Sequence, residues 1–259
     1  CSILLIQNIL FGSSNHFENF PIQDAGRVKP IDTYAEKILL SIYERRSVKD
    51  PQSNAIEWLL ESLVYPSESY KKNIFKVKSK EVASTLGLEW RDPHYYSYSE
   101  ISEGINQSIE YFVNLYLMEE DQKTAIEKQL TNLFINIGTF KSITNSFTCL
   151  DPIIEVNHPF IANNLHIDVG SSISYAFYSF NKEALQNTAD QIKDRSSKDI
   201  ISLEESLQVI IDQANGIQKN KLRADPFYKN FNLKIIPSEV TWISPWELLD
   251  KKPLDITSN

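Results

Sequence analysis

Phe20 to Thr33 reads FPIQDAGRVKPIDT, a polar turn set directly before an amphipathic helix. Gln23, Asp24 and Ala25 lead into Gly26, which accepts a positive φ that other residues resist. Arg27 and Lys29 then flank a short extended piece that ends at Pro30, so the chain turns at Gly26. After Pro30, the residues Ile31, Tyr34, Ala35, Ile38, Leu39 and Ile42 recur at helical spacing. Pro30 therefore sits near a helix start, with Asp32 and Thr33 in the positive first turn. A guanidinium beside such a turn can grip a carboxylate through two parallel hydrogen bonds, and Asp24 and Asp32 are both within reach along the chain. Gln23 to Thr33 thus reads either as a clasp that fixes the first helix, with Arg27 paired inside the fold, or as a partner-binding site presenting Arg27 and Lys29. The clasp is the simpler reading.

Working outward, Asp50-Pro51 has the form of an N-cap and first-turn proline for a second helix carrying Ile56, Trp58, Leu59, Leu63 and Val64, ended by Pro66. Asn73 to Lys78 alternates as a short strand does, and Ser79 to Leu86 is a short helix closed by Gly87. Ser97 and Glu100 are spaced as a capping box for a helix to about Met118, with Ile101, Ile105, Ile109, Phe112, Val113 and Tyr116 facing inward. Asp121 to Ser146 is a further helix on Ile126, Leu130, Leu133, Phe134, Ile137 and Phe140. Asp151-Pro152 and His158-Pro159 interrupt regular structure. Ser172 to Phe180 suits a strand or an aromatic helix start, Asn181 and Ser202 have the character of helix caps, and Leu233 to Ile236 is the last strand candidate. No repeat or Gly/Ser linker divides the chain. The expected fold is mainly α with a few short β-strands (α+β), a single globular domain over residues 15–259 behind an apolar N-terminal tether of residues 1–14.

With 259 residues, 42% hydrophobic and 23% charged, the chain can bury one large core or two smaller ones. Its net charge of -8 and pI near 5.1 repel a phosphate backbone, which argues against nucleic acid. The two cysteines, Cys1 and Cys149, form no CxxC or CxxCH for thiol exchange, zinc or covalent haem. Cys1 ahead of the apolar run SILLIQNILF has two readings: the lipid-modified N-terminus of a lipoprotein, or the stub of a signal anchor. Both expect a membrane beside the domain.

The pattern Q-D-x-G-R-V-K-P-I-D-T-Y-A from Gln23 to Ala35 resembles the opening of the extracytoplasmic domain of System II (Ccs-type) cytochrome c biogenesis proteins. The A-x-x-W-L-L of Ala55 to Leu60, the IFKVK of Ile74 to Lys78 leading into Leu86-Gly87-Leu88, and the SYSEI of Ser97 to Ile101 add to the likeness, as do Ile236-Pro237 and the WISPW of Trp242 to Trp246. The likeness covers both ends and has no counterpart for roughly Glu119 to Lys229. It implies a membrane-anchored domain on the periplasmic side that positions partners for haem attachment: a membrane-embedded haem-handling subunit, and an apocytochrome c. Haem would then belong to the membrane partner, and this chain would bind no cofactor. The alternatives are a lipoprotein subunit of a respiratory or envelope complex, and an acid-assisted hydrolase.

Catalytic signatures are missing: there is no G-x-S-x-G, H-E-x-x-H, P-loop or G-x-G-x-x-G. The acidic clusters Glu119-Glu120-Asp121 and Glu204-Glu205 suit helix first turns better than acid–base pairs. His16, His94, His158 and His166 are scattered, and His166-x-Asp168 is a spacing that arises often by accident, so no metal site is expected. Trp58 sits at core spacing. Trp242 and Trp246 are four apart across Ser244-Pro245 and read as core packing or, alternatively, as a docking surface.

Overall fold

The computed structural model describes residues 17–49, 52–192, 198–223, 233–238 and 241–250. These group into two compact units: the first holds the described residues up to 145 together with 233–242, and the second those from 146 to 223 with 243–250. The sequence had suggested one domain over residues 15–259.

The first unit opens with the hairpin. Strands β1 (Pro21–Asp24) and β2 (Arg27–Pro30) pair antiparallel, Ile22 opposite Lys29 and Asp24 opposite Arg27. Ala25 and Gly26 both take left-handed backbone, at φ +50° and +76°, the two-residue turn whose twist matches that of the strands. Pro30 leads into α1 (Ile31–Tyr43), which buries Ile31, Tyr34, Ala35, Ile38, Leu39 and Ile42, as their helical spacing requires. Glu44, at φ +56°, ends α1, and a hairpin of β3 (Ser47–Lys49) and β4 (Gln52–Asn54) follows.

Helix α2 (Ala55–Val64) starts later than Asp50-Pro51 suggested, those two residues lying outside the described ones. Its cap is Asn54, whose side chain accepts from the Glu57 N–H at 2.8 Å while the Glu57 carboxylate accepts from the Asn54 N–H at 2.9 Å. Pro66 ends α2 and begins a short α3 (Pro66–Ser69). Of the expected strand over Asn73 to Lys78, only β5 (Phe75–Lys76) forms, paired with β6 (Tyr95–Tyr96) across the intervening α4 (Lys80–Thr85).

The Ser97–Glu100 capping box is present, but the single helix expected to reach Met118 is two, α5 (Tyr98–Gln107) and α6 (Ile109–Leu117). Ser108, at φ -124° and ψ 29°, leaves the helical region between them. Ile101, Ile105, Phe112 and Leu115 are buried at helical spacing on either side of the break, while Tyr116 is 40% exposed. Gly104 on α5 is a close approach: a Cβ there would lie 2.2 Å from the Leu86 carbonyl oxygen. Helix α7 (Ala125–Asn145) carries Leu130, Leu133, Phe134, Ile137 and Phe140 into the core, whereas Ile126 in its first turn is exposed. Trp58, fully buried, stacks on Phe140 at 6.4 Å, and Phe75 meets the same ring edge-on at 5.4 Å.

The second unit contains a 3₁₀ turn at Thr148–Leu150, then β7 (Pro152–Val156), α8 (Pro159–Asn164) and β8 (Ser171–Ser174), with β7 and β8 antiparallel. Pro152 and Pro159 therefore begin elements rather than only breaking them. Ser174 caps α9 (Tyr175–Phe180), so Ser172 to Phe180 is first strand and then helix. Asn181 precedes α10 (Lys182–Ile192), but Ser202 lies inside α11 (Lys198–Arg223) rather than capping it. Leu203, Leu207, Ile210 and Ala214 of α11 pack with Ile154, Ile161, Tyr175 and Trp246 in one core. Near the chain's end come β9 (Ile236–Pro237), paired with β10 (Trp242–Ile243), and α12 (Pro245–Asp250). The fold is mainly α with a few short strands. Among the described residues no helix is long and apolar enough to cross a membrane. The tether expected over residues 1–14, with Cys1, lies outside the described residues.

Candidate functional site

The hairpin register places Ile22, Asp24, Arg27 and Lys29 on one face, and Ile22 anchors that face by being wholly buried. Helix α1 runs on from Pro30 and brings Lys37 back towards the turn. The Asp24 carboxylate accepts from Lys29 Nζ at 2.7 Å and from Lys37 Nζ at 2.7 Å. Burial pushes the Asp24 carboxyl up, but the two ammonium groups outweigh it and hold the group below its ordinary range. Burial first and the Asp24 charge second push the Tyr34 hydroxyl up.

The clasp thus exists with different partners from those expected. Arg27 is exposed and makes no ion pair or side-chain hydrogen bond among the described residues, although it lies directly across the ladder from Asp24. Asp32 forms no ion pair among the described residues either: burial, then the neighbouring Glu36, raise its carboxyl. Thr33 and Pro30 are exposed. Gln23 is drawn to the end of the chain, its N–H donating to the Lys234 carbonyl at 2.9 Å and its Oε1 accepting from the Thr241 hydroxyl at 3.4 Å. Gln23, Asp24, Tyr34, Lys37, Asn136 and Lys234 are among the walls of a cavity of about 420 Å³.

Lys37 and Lys234 are the site residues that sequence spacing did not suggest. Lys37 is thirteen positions from Asp24, and only the antiparallel return of hairpin into helix makes them neighbours. The one available signal was that Lys37 follows Tyr34 by one helical turn.

The remaining candidates have local structural duties. The His94 ring stacks on Trp90 at 3.9 Å and its Nδ1 contacts the Arg91 carbonyl, while His158 Nδ1 accepts from the Phe160 N–H at 3.2 Å as the cap of α8. His166 holds a left-handed turn at φ +55°, and His16 lies outside the described residues. Among the described residues no three His, Cys, Asp or Glu side chains gather as a metal site. Glu120 pairs with Lys123 at 3.2 Å. Trp246 is 4% exposed and packs on Tyr175 at 5.4 Å, so it is core and offers no docking surface, whereas Trp242 is only partly buried in β10. Cys149 is buried and in no disulfide.

Comparison with models of known protein families gives no match for this sequence, and comparison with curated proteins gives none.

Proposed function

We propose that the chain is a membrane-tethered extracytoplasmic accessory domain of the System II cytochrome c biogenesis type, which positions partners for haem attachment and carries out no chemistry itself. The observation that carries this reading is the FPIQDAGRVKPIDT stretch, the part with the family likeness. It is a braced hairpin whose carboxylate is satisfied by two lysines while Arg27, Gly26 and Val28 remain exposed at its tip. A turn held so firmly, with an uncommitted guanidinium at its end, suits recognition of a carboxylate on a membrane-embedded haem-handling partner. Haem in this scheme stays with that partner. The N-terminal residues, Cys1 included, supply the anchor.

The test is Arg27→Ala in the parent cell. Folding stability is expected to change by less than about 0.5 kcal/mol, as for an exposed side chain. Cytochrome c carrying covalent haem, measured by its haem peroxidase stain, is expected to fall. Undiminished haem attachment with normal amounts of the variant overturns the reading.

A further inference from the structure

Helix α7 carries a row of polar side chains at Gln129, Asn132, Asn136 and Thr139, spaced three, four and three apart and therefore on one face. The row lines two cavities that lie side by side. One, of about 190 Å³, includes Gln129, Asn132, Glu44, Lys76 and Lys78. The other, of about 420 Å³, includes Thr139, Asp24, Lys37 and Lys234. Ser41 and Asn136 belong to both. They form the saddle between them, with the Asn136 amide donating to the Ser41 carbonyl at 3.0 Å and accepting from its hydroxyl at 2.9 Å.

Two properties of this groove select a ligand. Its floor carries the carboxamides of Gln129, Asn132 and Asn136, groups that present donors and acceptors as a peptide group does, with Asn136 already using one of each on Ser41. The Gln129 Oε1 is shielded from solvent and has no hydrogen-bond partner among the described residues, so a turn of its carboxamide into the groove would gain one. The ends, in turn, are positive within a chain of net charge -8. Glu44 faces both Lys76 and Lys78, the latter at 2.7 Å, which leaves one ammonium charge uncompensated. At the other end Asp24 faces Lys29 and Lys37, each at 2.7 Å, and Lys234 adds a further positive charge to the wall.

From Gln129 to Thr139 the helix rises about 15 Å, the length of about four or five extended residues. We propose that this groove binds a short extended segment of a partner protein, four or five residues long with an acidic side chain at each end. Its backbone lies along the amide row and its carboxylates meet the lysines at the two ends. This goes beyond the tethered-scaffold reading. It is measured on the purified full chain without membranes or haem, so either can fail alone.

The probe is acetyl-Glu-Thr-Val-Thr-Glu-amide, titrated into the full chain with the side-chain amide resonances of Asn132 and Asn136 followed by NMR. Saturable shifts at both amides are expected. The apparent Kd is expected to rise about fivefold or more for the peptide with Gln at both ends, for Lys78→Ala and for Asn132→Ala. Both substituted residues are exposed, and an unchanged thermal midpoint shows that each variant is folded. Absence of shifts at millimolar peptide overturns the proposal. So does equal binding of N-acetylglutamate amide, which has the carboxylate without the backbone, and so does binding that neither variant weakens.

Discussion

Asp24 is the residue on which the first hairpin depends, and its replacement is expected to be costly in a way that Arg27's is not. Asp24→Asn leaves Lys29 and Lys37 facing each other with no anion, and a loss of about 1–2 kcal/mol in denaturant-midpoint stability is expected for partly buried charge-assisted hydrogen bonds. The carboxyl also confers a pH dependence of defined sign. Its folded pKa lies below the unfolded value of 3.8, so its contribution is fully present above that value and is lost as pH falls through the folded pKa. Glu44 acts in the same sense, lowered first by Lys76 and then by Lys78. Urea denaturation between about pH 5 and pH 2 is expected to show stability falling with acid, with a shallower fall in Asp24→Asn. Ala25 invites the opposite change. It holds φ +50° with a Cβ, and Ala25→Asn, whose side chain tolerates that backbone, is expected to raise stability by about 0.5–1 kcal/mol.

Elements show where sequence patterns are sufficient and where packing overrides them. The turn at Gly26, the extended piece to Pro30 and α1 were legible because a turn glycine, a proline and a 3.6-residue apolar period are local signals that agree with one another, whereas the pairing of Pro21–Asp24 as the first strand of a hairpin was not. The capping box at Ser97 was legible for the same reason, but the break at Ser108 was not. Nothing in its neighbours forbids helix, and the apolar spacing of Ile101, Ile105, Phe112 and Leu115 runs across the break as across one helix, so it carries no signal of the interruption. Asn54-x-x-Glu57 is a capping-box signature that competes in the sequence with the proline signal at Pro51, and the helix starts at the former. The candidate site was half legible. The stretch that forms the Asp24 clasp was identifiable, but the choice of Lys29 and Lys37 over Arg27 as the partners of Asp24 depends on how α1 returns against the turn. At this scale Gly104→Ala gives a sharp test, since the added methyl would meet the Leu86 carbonyl at 2.2 Å. A loss of about 2–3 kcal/mol is expected from calorimetry or urea midpoints, as for overpacking against backbone.

Across the whole molecule, each unit has its own buried tryptophan, Trp58 in the first and Trp246 in the second. Trp246→Ala removes a large ring from the second core and is expected to cost that unit about 3–5 kcal/mol. Hydrogen exchange should then accelerate in β7 and α11 while α2 and α7 keep their protection. A uniform loss would show that the two cores are energetically one. On the proposal of a membrane tether, deletion of the residues before Asn15 is expected to release the protein from membranes and to leave the thermal midpoint unchanged, and a large drop in the midpoint would move that apolar run into the core.

The bond from Gln23 to Lys234 also bears on the order in which the chain can assemble during synthesis. Residue 23 leaves the ribosome well before its edge partner Lys234, and its Thr241 contact is made 218 residues after it. Trp246, which completes the other core, emerges later still. At about 5–20 residues per second, the nascent chain spends several seconds with both units unfinished, and one short late-arriving stretch closes each of them. A ribosome stalled with residue 232 as the last one added should therefore carry a chain open to protease in both units, whereas a chain extended until residue 250 has cleared the exit tunnel should be protected in both together.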